Sequence, residues 1–306
     1  MLIKRILLLV FMVCCALIIN AQQTMPLYPD SIPNCHNCDN HESFGGNTNG
    51  RKFLKNVTLP TLTVFLPEKP ATNRTAVIIC PGGGYSSLSI EDGGFDAARE
   101  LTKNGIVAIV LKYRTTGEKC ISGYSIVPLQ DVQQAIYQTR LNASKWQIDL
   151  HKVGLLGFSA GGHLSGMAAT QYNSLQIDAK GISLRPDFTI LAYPVISFTD
   201  ALTSRNSKSR LNLLGKNPSE QQKCWYSPEL NVTAATPPSF LVHASNDSTA
   251  KVENSIAYYQ ALHNFGISAK LMIYQRGGHG FALYNKEEDD YWLPYAVKWL
   301  KLNLFL

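Results

Sequence analysis

A serine stands between glycines where an apolar strand gives way to a helix, and that junction constrains the fold more than any other stretch. Gly157-Phe158-Ser159-Ala160-Gly161-Gly162 follows the apolar run Val153-Gly154-Leu155-Leu156 and leads into His163-Leu164-Ser165-Gly166-Met167-Ala168-Ala169, which reads as a helix. A strand that turns this sharply needs tight backbone geometry at the turn residue, with glycines beside it where neighbouring chain comes close. The pattern reads as a nucleophile elbow, with Ser159 Oγ projecting above a sheet. Free N–H groups at the start of the helix favour a developing oxyanion. The bland alternative is a glycine-serine loop ahead of a helix.

An active serine needs a base, and the base needs an orienting carboxylate. Both follow in the chain. Ser239-Phe240-Leu241-Val242-His243 is a short β-like run after Thr236-Pro237-Pro238, and it empties into Ala244-Ser245-Asn246-Asp247-Ser248. Asp247 is the candidate orienting acid. The next strand, Lys270-Leu271-Met272-Ile273-Tyr274, runs into Gln275-Arg276-Gly277-Gly278-His279-Gly280-Phe281, which makes His279 the candidate base. Upstream, Ala76-Val77-Ile78-Ile79-Cys80 ends in Pro81-Gly82-Gly83-Gly84-Tyr85, a glycine run able to turn backbone N–H groups toward a substrate oxygen. Tyr85 and Phe281 flank these loops; either ring can line a substrate pocket or pack in the core.

Strand-like and helix-like segments alternate. Strands are expected near 61–66, 76–80, 106–111, 153–157, 188–192, 239–243 and 270–274, with helices near 94–103, 128–142, 160–170, 252–265 and 291–302. The alternation argues for an α/β domain with a mostly parallel central sheet flanked by helices. Such a sheet gathers the loops after its strands on one edge, and Ser159, Asp247 and His279 all fall on those loops.

Together these residues resemble the α/β-hydrolase fold, and more narrowly the secreted bifunctional feruloyl/acetyl-xylan esterases and other carbohydrate acetylesterases. The resemblance runs from about Leu59 to the C-terminus. It is carried by PTLTVFLPE (60–68), VIICPGGGYSSLSIEDGGFDAA (77–98), GIVAIVLKYR (105–114), PLQDVQQAI (128–136), GLLGFSAGGHL (154–164), TPPSFLVHASND (236–247), VENS (252–255) and GGHGF (277–281). It implies Ser159 as nucleophile, His279 as base, Asp247 as its orienter, and Gly83, Gly84 and Ala160 as oxyanion donors. It also implies an acetyl or feruloyl ester of plant polysaccharide as substrate, with no metal or organic cofactor. Around the acid the family usually has Asp-Asp and then Val-Pro, whereas this chain has Asn246-Asp247 and then Ala250-Lys251. A carboxylesterase or lipase of small esters, a serine peptidase, and a carbohydrate-binding module with a degenerate hydrolase fold are the other readings. The polar stretch Ser204-Arg205-Asn206-Ser207-Lys208-Ser209-Arg210 argues against a lipase lid, and the complete Ser/Asp/His set against a module without activity.

Met1-Leu2-Ile3-Lys4-Arg5 and the apolar run that follows to Ile19 read as a signal peptide (1–21) with cleavage after Ala21, hence export to the periplasm or beyond. Cys14 and Cys15 raise a lipoprotein reading, but Val13 precedes Cys14 where a small residue is expected. No later stretch approaches the length of a membrane span. The formal charge of +6 falls by two once Lys4 and Arg5 are removed, and the remaining basic residues do not cluster, so nucleic-acid binding has no support. Residues 22–58 are expected to be an irregular segment ahead of one catalytic domain at 59–306. Within it Cys35-His36-Asn37-Cys38 reads as a local disulfide or surface loop rather than a zinc knuckle, since no second ligand pair follows.

Other residues carry weaker readings. Cys80 is expected to be a free core thiol, His163 a packing histidine, and Asp131 a helix cap. Glu91 and Asp92 belong either to a solvated turn or to a wall facing sugar. Asn56, Asn73 and Asn231 head glycosylation sequons. The long connection from Ser197 to Pro238 is expected to cover part of the site as a lid.

Overall fold

Aliphatic runs become the central strands here because helices cover both faces of the sheet, leaving no polar face to alternate with. The computed structural model describes residues 22–46, 52–69, 71–72, 74–204 and 206–306. In chain order the strands are β1 (Gln22–Pro26), β2 (Ser43–Gly46), β3 (Lys52–Lys55), β4 (Thr61–Phe65), β5 (Arg74–Cys80), β6 (Ser87–Leu88), β7 (Val107–Lys112), β8 (Ile148–Phe158), β9 (Thr189–Ala192), β10 (Ser239–Ala244), β11 (Ala269–Tyr274), β12 (Tyr284–Asn285) and β13 (Asp290–Tyr291). The helices are α1 (Asp96–Lys103), α2 (Val127–Leu141), α3 (Ala143–Trp146), α4 (Ala160–Thr170), α5 (Lys208–Leu214), α6 (Glu220–Trp225), α7 (Glu253–Asn264) and α8 (Leu293–Leu302).

Eight strands form the central sheet in the order β1-β4-β7-β5-β8-β9-β10-β11. The β1–β4 and β4–β7 pairs are antiparallel and the rest are parallel. β5 is buried along its whole length. Consecutive residues on a strand face opposite sides, and β10 uses both. Phe240 packs against Trp292 and Trp299 of the C-terminal region, with ring centroids 6.4 and 6.1 Å away, while Leu241 joins Tyr258 and Leu262 of α7. The chain leaves β5 for β7 on one side and later reaches β8 on the other. The ends of β5 and β8 therefore flank a topological switch point, where sheets of this kind open a crevice.

Two sequence expectations need correction. Residues 22–58 are not irregular throughout: β1 extends the central sheet as an edge strand, and β2 and β3 form a small sheet with β6. β1 escaped notice because its residues are mostly exposed, so it carries no apolar pattern and is held by pairing with β4. Asp131 does not cap a helix. α2 begins at Val127, which places Asp131 in the second turn facing inward, where its buried carboxylate accepts bonds from Arg114 Nε at 3.0 Å, Arg114 Nη2 at 2.5 Å, Arg114 N at 2.8 Å and Tyr28 OH at 2.9 Å. Arg114 Nη1 reaches Pro33 O at 2.5 Å, so this pair ties the N-terminal segment to α2.

The cysteine expectation is enlarged. Cys38 lies within disulfide reach of both Cys35 and Cys120, with Cα–Cα separations of 5.9 and 5.4 Å, and one sulfur can bond only one of them at a time. Cys80 is buried and unpaired, and burial pushes its thiol up to about 12. Asn231 spends its amide on the carbonyls of Cys224, Trp225 and Ser227, closing the end of α6. The signal-peptide reading, Cys14, Cys15 and Asn73 lie outside the described residues. Among the described residues no helix is long and apolar enough to cross a membrane.

Replacing Asp131 with Asn leaves the fully buried Arg114 guanidinium without its counter-charge. The expected loss is about 3–5 kcal/mol of folding stability, read from the urea midpoint and slope of the variant beside the parent.

Candidate active site

Ser159 sits at the turn from β8 into α4 with φ 53° and ψ −117°, a conformation that costs a non-glycine residue of order 1–3 kcal/mol. The flanking glycines are dictated by close approach. A Cβ on Gly157 would stand 2.2 Å from Gly161 O, and one on Gly161 would stand 2.0 Å from Cys80 O at the end of β5. Absence of side chains at these two positions lets α4 start against the end of β5 and brings the glycine run beside Ser159. The elbow is held from outside: Ser159 N donates to Ala192 O at 3.0 Å, and Ser159 O accepts from His163 N at 3.1 Å and Val195 N at 3.2 Å.

The three separated residues read from the sequence meet here. Ser159 Oγ lies 2.8 Å from His279 Nε2, and His279 Nδ1 lies 2.7 Å from Asp247 Oδ2. Asp247 Oδ1 accepts from the N–H groups of Thr249 at 2.8 Å and Ala250 at 2.9 Å. Burial opposes the Asp247 charge, but hydrogen bonds from His243 and His279, the His279 charge and the Ala250 N–H outweigh it. Its pKa is held well below the usual carboxylate range. Asn246, where the resembling esterases usually have Asp, holds the base loop through Gly278 N at 2.8 Å.

His243 carried no role in the sequence reading. It stands behind the acid, with Nε2 3.1 Å from Asp247 Oδ2 and 2.7 Å from Ala250 O, and Nδ1 2.8 Å from Ser255 Oγ. Its position was on a strand named as β-like, but only the three-dimensional return of the loop at 247–250 makes it a partner of Asp247. Tyr193 was also missed. Its ring stands 5.1 Å from the His279 ring, and its hydroxyl accepts from Ala282 N at 3.1 Å, fixing the chain just after the base.

Gly83, Gly84 and Ala160 gather around Ser159, and their N–H groups donate to no protein acceptor among the described residues. Gly83 O accepts from Ser87 N at 3.2 Å and Gly84 O from Asn212 Nδ2 at 2.8 Å, so both carbonyls are anchored by neighbouring elements.

Neither Tyr85 nor Phe281 lines the cleft over Ser159, although Phe281 borders a second pocket on the other side of His279. Tyr85 is buried, its hydroxyl 2.6 Å from His163 Nδ1, and Phe281 packs against Tyr193 and Tyr274 at 4.6 and 5.7 Å between centroids. His163 is a packing residue, stacked on Phe198 at 4.1 Å, and burial lowers its pKa to about 4. Asp92 does lie on the cleft wall.

The cleft over Ser159 and His279 has a volume of about 860 Å³. The β2–β3 hairpin forms one side through Gly45, Phe53 and Lys55, and the stretch leading into α5 forms another through Thr203 and Ser207. Asp200 secures that stretch by pairing with Arg210 at 2.6 Å and Lys223 at 3.0 Å, and their hydrogen bonds hold its pKa at about 2. The arrangement can activate a hydroxyl beside a cleft of mixed lining many times larger than an acetyl group.

The BD-FAE family model matches residues 62–262. The chain is 37% identical over 238 residues to an acetylxylan esterase of Xylanibacter ruminicola, covering 76% of this chain and 46% of that protein. It is 34% identical over 237 residues to endo-1,4-beta-xylanase B of Butyrivibrio fibrisolvens, covering 76% of this chain and 36% of that protein. The chain thus spans less than half the length of either relative. Among solved structures, an acetyl ester-xyloside bifunctional hydrolase from Caldicellulosiruptor lactoaceticus superposes with a TM-score of 0.75 at 29% identity, covering 93% of this chain and 97% of that one.

His163 and Asp247 both contribute to the acid sensitivity. His163 has a lowered pKa when folded, so its stabilising contribution is complete above about pH 6.5 and declines as the pH falls toward its folded value of about 4. Asp247 is also depressed, so its contribution is complete above about pH 4 and is lost only below that. Stability from urea titrations should fall with a slope of up to about 1.4 kcal/mol per pH unit in the first window. Asp247→Asn should leave that window's slope in place and lessen, without abolishing, the fall below it, where Asp200 still titrates.

Proposed function

The chain belongs to the BD-FAE family, and we propose that it is a serine esterase that removes acyl groups, acetyl or feruloyl, from plant polysaccharide such as xylan. The observation that carries this reading is the continuous hydrogen-bonded line from Ser159 through His279 to the buried Asp247, opening onto a cleft lined by serines, threonines and lysines as well as apolar groups. Similarity to an acetylxylan esterase and to an acetyl ester-xyloside hydrolase supports the substrate class.

In the first step His279 Nε2 takes the proton of Ser159 as Oγ attacks the ester carbonyl. Asp247, kept ionised, stabilises the imidazolium through Nδ1, and His243 and the Thr249 and Ala250 N–H groups keep the carboxylate in place. The oxyanion is received by Gly83, Gly84 and Ala160 N–H groups. His279 then gives that proton to the departing sugar oxygen, which leaves as the free hydroxyl, and water, activated by the same imidazole, releases the acid from Ser159. The N-terminal stretch 1–21 acts as an export signal and places this chemistry where extracellular polysaccharide can reach it.

Acetate release from acetylated xylan, beside 4-nitrophenyl acetate and methyl ferulate, tests the reading. Ser159→Ala is expected to lower kcat/KM by about 10⁴-fold or more on every ester the parent cleaves. Turnover of the small esters with no release from xylan would replace the polysaccharide reading with a general carboxylesterase. Turnover unaffected by Ser159→Ala would refute the mechanism.

A further inference from the structure

Three lysines from three separate parts of the chain line the cleft over Ser159: Lys55 on β3, Lys208 at the start of α5, and Lys251 on the loop that carries Asp247. None of the three has an ion-pair partner among the described residues. The lining carboxylate, Asp92, already has an interaction of its own.

Each lysine is placed by local structure. Gly45 pairs across from Phe53, and a Cβ on Gly45 would stand 2.9 Å from both Cε and Nζ of Lys55, so the bare glycine is what leaves room for that side chain to lie over the hairpin. Lys208 Cβ would stand 3.7 Å from a Cβ on Gly84, which puts the residue beside the glycine run next to Ser159. Lys251 directly follows Ala250, whose N–H holds Asp247, and it occupies the place where the resembling esterases usually have proline. Three like charges around one cleft raise the local potential and attract an anion.

We propose that the cleft takes acylated polysaccharide bearing carboxylate groups, such as a xylan with uronic-acid branches, and that the positive field of Lys55, Lys208 and Lys251 draws those carboxylates in while a neighbouring ester reaches Ser159. This rests on the serine-esterase reading and narrows its substrate. The cleft's volume of about 860 Å³ leaves room for a branched sugar beyond the ester itself. A neutral substrate would gain only hydrogen bonds from the lysines, whereas a uronate would also be drawn in with a salt-dependent rate.

The test compares kcat/KM on acetylated xylooligosaccharides with and without a glucuronic-acid branch, matched in acetylation, for the full chain and for the Lys55→Met/Lys208→Met/Lys251→Met variant. The ratio of acidic to neutral substrate is expected to be about tenfold at low salt in the parent. It should fall toward one at high salt and in the triple variant. Should the triple variant not fold, the salt dependence of the parent ratio and the three single variants give the same reading. A ratio near one at low salt, or one that neither salt nor lysine loss reduces, overturns the proposal. Absence of Ser159-dependent release from both oligosaccharides and from 4-nitrophenyl acetate would instead overturn the esterase reading, and this one with it.

Discussion

The close approach of α4 to the end of β5 governs the rest of the molecule's chemistry. Gly161 meets Cys80 O and Gly157 meets Gly161 O at distances that no side chain survives. That contact forces Ser159 into a strained turn and sets the helix start, with its free N–H groups, beside the glycine run that follows β5. Strain at a single residue of order 1–3 kcal/mol persists only where surrounding bonds over-determine it, and the bonds to Ala192, His163 and Val195 supply that restraint.

Asp247 is the second organising element. A buried carboxylate is costly unless fully hydrogen-bonded, and this one accepts two backbone N–H groups and faces two imidazoles. The loop from Asn246 to Ala250 therefore holds the base from one side while Tyr193 holds the chain after it from the other. The same logic of burial answered by dense bonding recurs at Arg114 and Asp131, where it fastens the N-terminal segment whose hairpin makes one wall of the cleft.

Much of this was legible in the sequence, for identifiable reasons. The central strands from β4 to β11 announce themselves as short apolar runs, and Ser159, Asp247 and His279 each follow one of them on the sheet edge where loops converge. β1 was hidden because an exposed edge strand has no periodicity of its own. His243, Tyr193 and Cys120 were hidden because their roles arise from segments that return to them in space, across 7 residues for His243 and Ala250, 89 for Tyr193 and Ala282 and 82 for Cys38 and Cys120. Tyr85 adjoins the glycine run along the chain, yet backbone direction after a glycine turn decides where a ring goes, and this one enters the core.

The chemistry stands or falls on whether Ser159 is the nucleophile that His279 activates. The most direct measurement is intact-mass and peptide-mass analysis after treatment with diethyl 4-nitrophenyl phosphate, in the parent and in His279→Ala. One diethyl phosphoryl group per chain on Ser159, formed far more slowly without His279, is the predicted result. An adduct on another residue, or an unmodified Ser159 in a preparation whose ester hydrolysis is nonetheless abolished, would contradict it.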